Sequence, residues 1–221
     1  HRRRYRGQLL GWVRFVGLLP ALMAVSTRKG YPDQAAMDAF AQQSMANVAE
    51  LALRGPIFTV SVGGLVAWTV ASSGSLVSEV IEILFAARYV SSDEAAGRTE
   101  LLRAQPVRRG DVFAAALDVP AGCGVAIGLV AFAGLAATGL PLAGSLGIGL
   151  VPMRSPLFHT GLWVLSAQLY PCPGLSRGVG FVGLGLLFVI ASAGDAPHSA
   201  LVLFSPFGWA RYSRSFAAHL F

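Results

Sequence analysis

Two carboxylates inside an apolar stretch are the residues of this sequence with the most unusual chemical setting. Glu79 and Glu82 lie within the stretch 62–87 and are three positions apart, so a helix would place both on one face. A charged side chain at the centre of a bilayer costs about 2.5–3.5 kcal/mol on insertion scales. Arg154 lies in another apolar stretch, 142–169, and is equally costly there. Such residues indicate either a functional pathway or a buried partner.

The sequence allows three interpretations of these intramembrane charges. In the first, Glu79, Glu82 and Arg154 line a polar pathway that meets cationic or amphiphilic cargo. In the second, the two glutamates carry the proton or ion that drives a secondary transporter. In the third, Arg14 or Arg154 on a neighbouring helix neutralises the glutamates, and their role is structural.

A charged segment, residues 88–111, separates the second and third apolar stretches. Ser91 and Glu94 match the capping box that begins a helix, and Pro106 disfavours helical backbone at the residue before it. These signals predict a short helix over 92–104 at the membrane surface. The residues alone leave two roles open for this helix, an interfacial helix solvated by its charges or a docking helix for a partner.

The sequence does not hold a complete set of motifs for a common catalytic site. A Walker A loop needs a lysine after a glycine-rich run, whereas the sole lysine, Lys29, follows Ser-Thr-Arg. H-E-x-x-H does not occur, and the four histidines are scattered along the chain. The pattern G-x-S-x-G occurs at Gly174–Gly178, in the short loop before the fifth apolar segment and not between a strand and a helix. The two cysteines have no disulfide or zinc spacing. We therefore expect no enzymatic activity, no metal and no cofactor on this chain itself.

Composition predicts the elements that must position these residues. The chain has 221 residues, of which 54% are hydrophobic and 13% charged, and its mean hydropathy is +0.60. Soluble domains carry about 25% charged residues, so an integral membrane protein is favoured over a soluble enzyme, a nucleic-acid-binding module or a disulfide scaffold. Five apolar segments approach the roughly 20 residues that cross a bilayer. They are 8–25, 62–87, 112–140, 142–169 and 179–194.

These segments predict an all-α, polytopic membrane helix bundle of about five to six transmembrane helices. Residues 1–221 form one transmembrane domain in this prediction. Gly124 and Gly128 are four positions apart and predict close helix packing. Pro152 and Pro156 are expected to break the fourth segment in its middle.

The distribution of basic residues predicts the orientation in the membrane. Counted along the five segments, ten lysines and arginines lie on the side of the N-terminus and five on the other side, with two inside the spans. The positive-inside rule therefore predicts a cytoplasmic N-terminus. The polar segment 26–56 would then lie outside, and it reads as a single helix over 31–53.

Four stretches of the sequence carry a resemblance to a known family. They are 93–109, Gly63–Trp68, 167–178, and Ser205–Trp209 followed by Arg214 and Phe216. In order and spacing they resemble the permeases of type-2 ABC exporters, specifically the actinobacterial polyketide-antibiotic exporter family. Glu79 and Glu82 depart from that family, which usually has apolar residues there, and an aspartate replaces the first glutamate of the loop motif.

The resemblance implies a transport subunit in the inner membrane of a bacterial cell. Such permeases export hydrophobic or amphiphilic small molecules, including antibiotics, by alternating access. A separate dimer of ABC ATPase subunits binds the ATP and Mg²⁺, and the loop after the second span is the coupling helix that docks on it. The resemblance therefore assigns partner binding to Asp93, Glu94, Gly97, Arg98, Glu100, Leu101 and Leu102.

The resemblance also implies that this chain corresponds to the N-terminal half of a longer permease. Five crossings would leave Phe221 outside, whereas the family continues into a sixth span and a second six-span half. A complete pathway is then expected to need the second half or a second copy of the permease.

Overall fold

The computed structural model describes residues 2–77, 80, 109–169, 173–195 and 199–216. Every regular element within these ranges is helical, and they contain no β-strand. The all-α prediction is therefore confirmed for this part of the chain. The number of membrane crossings stays a prediction.

The described elements comprise long helices that pack side by side and short helices that connect or cover them. The helix Val62–Thr69 continues directly into a π-helical segment, Val70–Gly74, and then into helical residues 75–77. A 3₁₀ turn, Ala200–Phe204, lies between the last two helices. The helices are α1 (Arg2–Gly30), α2 (Gln34–Ala46), α3 (Val48–Arg54), α4 (Val62–Thr69), α5 (Arg109–Ala137), α6 (Leu142–Leu169), α7 (Pro173–Asp195) and α8 (Pro206–Arg211).

The polar segment after α1 forms two helices, so the prediction of a single helix over 31–53 is wrong. α2 begins after Asp33, whose carboxylate accepts a hydrogen bond from the backbone N–H of Ala36 at 2.8 Å. Asn47 has extended backbone and separates α2 from α3. Its side-chain oxygen accepts from the N–H of Ala49 at 3.0 Å. An asparagine that satisfies the free donors at a helix start favours a new helix over continuation of the old one.

α6 runs from Leu142 to Leu169 without a break, so the predicted interruption at Pro152 and Pro156 is wrong. Each proline removes one backbone donor and disfavours helix locally, but tertiary packing overrides such preferences. Here α5 packs directly on the proline-containing turn. A Cβ atom on Gly124 would lie 2.6 Å from the carbonyl oxygen of Pro152.

Glycines set the crossing of α5 and α6, which is the largest helix–helix contact in the described structure. A Cβ atom on Gly128 would lie 2.3 Å from the carbonyl oxygen of Gly149, and one on Gly149 would lie 2.8 Å from that of Gly128. Any larger residue at either position would push the helices apart. The predicted packing role of Gly124 and Gly128 is therefore confirmed.

Two of the described helices are long and apolar enough to cross a membrane, judged by length and composition. They are Leu9–Gly30 within α1 and Gly178–Asp195 within α7. Shorter apolar helices cover Val62–Val77, Ala121–Ala137 and Leu142–Arg154. The buried residues Ala24, Val66, Leu135 and Ile148 form a core cluster that joins α1, α4, α5 and α6.

Candidate functional site

Most of the site residues predicted from the sequence lie outside the described residues. These are Glu79 and Glu82 and the whole predicted coupling helix, from Asp93 to Leu102. Arg154 is described, and its side chain is exposed on α6. It does not line the cavity found between the helices. Its assignment to a substrate pathway therefore stays a prediction without support from this cavity.

A cavity of about 180 Å³ lies between α1, α4 with its π-helical segment, α5 and α6. Its walls carry aliphatic side chains and three hydroxyl-bearing residues, and no charged or aromatic side chain is among the described residues that line it. The lining residues are Val16, Leu19, Pro20, Met23, Thr69, Val70, Ser73, Gly74, Ser75, Val77, Ile127, Ala131, Ile148, Val151 and Pro152.

Two of the three hydroxyl groups that line the cavity, those of Thr69 and Ser75, bond to their own helix, which leaves the surface largely apolar. The Thr69 hydroxyl donates to the Leu65 carbonyl at 2.9 Å, and the Ser75 hydroxyl donates to the Ala71 carbonyl at 2.8 Å. Buried hydroxyls satisfied in this way do not require a polar ligand. The cavity is thus suited to apolar groups.

Irregular helical backbone surrounds the cavity on three sides. Pro20 in α1 and Pro152 in α6 each lack the N–H that would bond to the carbonyl four residues earlier, on Val16 and Ile148. On the third side the π-helical segment Val70–Gly74 contributes several lining residues. π-Helical insertions are rare in α-helices and occur frequently at functional sites. Three of the four walls therefore contain a point at which the helix departs from regular hydrogen bonding.

A buried ion pair joins α8 to the end of α7. Arg211 of α8 donates to the carboxylate of Asp195, the last residue of α7, and the two side chains are 1% and 0% exposed. Arg211 also donates to the carbonyl of Leu53 at 2.7 Å. Gly55 has a φ of +75°, and a Cβ atom there would lie 3.0 Å from the Asp195 carboxylate. Only glycine fits both this backbone conformation and this space.

We call the group formed by Arg211, Asp195, Leu53 and Gly55 the Arg211 cluster. Burial shifts the pKa of the ionisable groups there. Burial lowers the pKa of Arg211 from its ordinary value, and the nearby Asp195 carboxylate opposes that shift. Burial also raises the pKa of the neighbouring Tyr212, and Asp195 adds to this increase. The guanidinium of arginine stays charged in proteins, so Arg211 and Asp195 form an ionic pair.

Trp68 connects the Arg211 cluster to the helix that lines the cavity. Its indole N–H donates to the Gly55 carbonyl at 2.7 Å, and the Arg54 guanidinium lies 4.9 Å from the centre of its ring. Trp68 immediately precedes Thr69, which lines the cavity. α4 therefore contacts both the Arg211 cluster and the cavity.

The motif Ser205–Trp209 anchors α8 against α7. The Ser205 hydroxyl donates to the Leu187 carbonyl at 2.7 Å, and Phe207 is fully buried, with its ring 5.5 Å from that of Phe188. The Trp209 indole N–H donates to the Leu203 carbonyl at 2.6 Å. The motif thus has a structural role and brings Arg211 to Asp195.

Sequence reasoning did not select Asp195 or the cavity residues. A carboxylate at the end of the apolar segment 179–194 was the available signal for Asp195. The run Ser72–Ser75, which contains Gly74, was the signal for space within an apolar helix. Small residues in such a run leave room that large aliphatic residues would fill.

Most of this chain is similar in sequence to a known permease. No protein-family model matches the chain. The chain is 33% identical over 216 residues, 97% of its length, to a multidrug efflux system permease protein of Mycobacterium tuberculosis. It is related to an efflux permease. The resemblance to an exporter permease is thereby confirmed, and the chain spans 39% of the length of this relative.

The exposed side chains of the described helices agree with a location of this chain in a membrane. On α1, Leu18, Leu22 and Val25 are exposed at the spacing of one helix face. On α7, Val182 and Leu186 are exposed in the same way. Exposed apolar stripes of this kind indicate contact with lipid or with other apolar surfaces. Together with the relationship, they indicate a membrane protein.

Proposed function

We propose that this chain is part of a bacterial inner-membrane permease that exports hydrophobic or amphiphilic small molecules. The observation that carries the proposal is the relationship over 97% of the chain to an efflux permease. The apolar cavity between α1, α4, α5 and α6 supports it, since such cargo needs an apolar place to bind on its way across.

In the proposed arrangement the chain is a polytopic helix bundle with its N-terminus in the cytoplasm. Residues 1–221 form one transmembrane domain that corresponds to the N-terminal half of the intact permease. A second half or a second copy completes the pathway. This orientation follows from the excess of basic residues on the side of the N-terminus.

ATP drives this export in our proposal, through a dimer of separate ABC ATPase subunits that bind ATP and Mg²⁺. The predicted helix over 92–104 docks on that ATPase. Its charged residues Glu94 and Arg98 are four positions apart and share one helix face. Closure of the ATPase dimer would then move the spans between inward-open and outward-open states.

The test uses the intact protein that contains this chain, reconstituted in liposomes with its candidate ATPase. The wild type is expected to move an uncharged lipophilic dye only when ATP is supplied. Glu94→Ala combined with Arg98→Ala should abolish ATP-dependent transport while the ATPase alone still hydrolyses ATP. Glu50→Ala is the matched control, because Glu50 is a partly exposed helical glutamate on α3, in the predicted outer segment.

A different result would favour a secondary transporter. If transport ran on an ion gradient without ATP, and Glu79→Gln alone abolished it, the ATPase-coupled proposal would be wrong. Loss of transport in Glu50→Ala to the same degree as in the loop variant would also contradict it.

A further inference from the structure

We infer that the cavity between α1, α4, α5 and α6 binds an uncharged alkyl chain of about six or seven carbons. The inference deepens the proposed function, on which its assignment to cargo rests. The same chemistry is present in two sources, the alkyl part of an exported molecule and the acyl chain of a membrane lipid.

The composition of the walls determines the class of ligand. Leu19, Met23, Ile127 and Val151 present aliphatic side chains, and no charged side chain is among the described lining residues. The hydroxyls of Thr69 and Ser75 are already donated to carbonyls of their own helix. The third hydroxyl, on Ser73, adds one small polar group to these walls. An isolated charge would lose its hydration there without replacement.

The volume of the cavity determines the size of the ligand. An engineered apolar cavity of about 150 Å³ holds benzene, which has six carbons. The cavity of this chain, about 180 Å³, is slightly larger. It therefore accommodates a short alkyl chain or one apolar ring, but not a whole drug-sized molecule. The rest of the ligand would remain outside the cavity.

Met23 provides a direct readout because its side chain lines the cavity. The probes are n-alkanols from butanol to decanol, added to the intact protein in nanodiscs with ¹³C-methyl-labelled methionine. Met37, buried in α2 and absent from the cavity lining, is the internal control. Each probe is expected to shift the Met23 signal, and the Met37 signal should not move.

Chain length separates binding in the cavity from partition into lipid. Each added methylene should raise the aqueous affinity about fourfold, because burying one is worth about 0.8 kcal/mol. The increase should stop at about seven carbons, when the cavity is full, whereas partition into lipid continues to increase. The matched probe 1,6-hexanediol should bind about tenfold or more weakly than hexanol, since its second hydroxyl would exchange water for a lining that is mainly aliphatic.

Two variants change the size of the cavity in opposite directions. Leu19→Ala removes three carbons from the wall, so the chain length at which the affinity stops increasing, here called the limit, should move to about ten carbons. Ala131→Leu adds three carbons and should move the limit to about four. Leu18→Ala is the control, because Leu18 adjoins Leu19 on α1 but is 44% exposed and does not line the cavity. Leu19→Ala keeps the test decisive if the tightly packed Ala131 position does not tolerate leucine.

Efflux measurements distinguish the two sources of the alkyl chain. If cargo fills the cavity, the hexyl ester of an uncharged dye is exported better than its methyl ester, and Ala131→Leu removes that preference. If lipid fills it, the Met23 response persists while the two esters are exported equally in wild type and variant.

The inference is overturned if the Met23 signal shows no length limit, or if Leu19→Ala and Leu18→Ala share the same limit. A protein that shows the length limit but exports no dye would instead contradict the proposed function alone.

Discussion

Removal of the Asp195 carboxylate is the most damaging single substitution that we expect in the described structure. Asp195→Ala would leave the Arg211 guanidinium with a side chain only 1% exposed and without its counter-ion. The hydrogen bond from Arg211 to the Leu53 carbonyl would remain, at 2.7 Å, but a carbonyl does not neutralise a charge. The protein would then contain a buried charge that is paired with no opposite charge of this cluster.

The expected magnitude follows from the burial of the pair. Breaking a buried ion pair by removing one partner costs about 3–5 kcal/mol of unfolding free energy. At about 2–4 °C per kcal/mol for a chain of this size, the melting temperature should fall by about 6–20 °C. The partly exposed pair of Glu50 and Arg54, 4.0 Å apart on α3, gives the scale for comparison. Glu50→Ala should cost about 0.5 kcal/mol or less.

Thermal unfolding of the intact protein in nanodiscs, followed by intrinsic fluorescence, measures these differences. The double variant Asp195→Leu with Arg211→Met should recover most of the lost stability, since apolar replacement of both partners removes the unpaired charge. The reasoning is refuted if Asp195→Ala lowers the melting temperature no more than Glu50→Ala does. It is also refuted if the double variant is as unstable as Asp195→Ala.

Three further predictions concern other parts of the described structure. Gly128→Ala should lower the melting temperature because its Cβ would meet the Gly149 carbonyl, whereas Gly122→Ala, with nothing within 4 Å, should be neutral or stabilising by up to about 1 kcal/mol. Asn47→Ala should cost about 1 kcal/mol in thermal unfolding, because the first turn of α3 loses its cap. Because the pKa of Tyr212 is raised above 10.0, stability should decrease as the pH rises above about 10, and Tyr212→Phe should lack this contribution in unfolding measured against pH.

The sequence predicted the helical class well because that class depends on composition and on the spacing of small residues. The low share of charged residues was sufficient to predict apolar helices. The glycines at 124 and 128 were sufficient to predict one place where helices pack closely. The short helices were harder to predict, since a single side-chain hydrogen bond at Asn47 divides the segment. At Pro152 the packing of α5 outweighs the local preference of proline, and no local pattern shows that packing.

The described part of the candidate site was not predictable by looking for reactive residues. The cavity consists of aliphatic and small side chains, so a search for charge selected Arg154, which is exposed on α6. The Arg211 cluster depends on contacts between distant residues. Arg211 and Leu53 are 158 positions apart along the chain, and only the folded helices bring them together.

α4 is the element through which these features influence one another. Trp68, next to its last residue, donates to the carbonyl of Gly55 in the Arg211 cluster, and the π-helical segment that follows forms one wall of the cavity. Beyond residue 80 the same stretch of sequence leads to the predicted coupling helix over 92–104. Hydrogen bonds in a π-helical segment span five residues instead of the four of an α-helix, so converting the segment to α-helix shifts one end of the helix relative to the other. We expect such a shift to change the hydrogen bond of Trp68 or the shape of the cavity, because Trp68 directly precedes the lining residues of this segment.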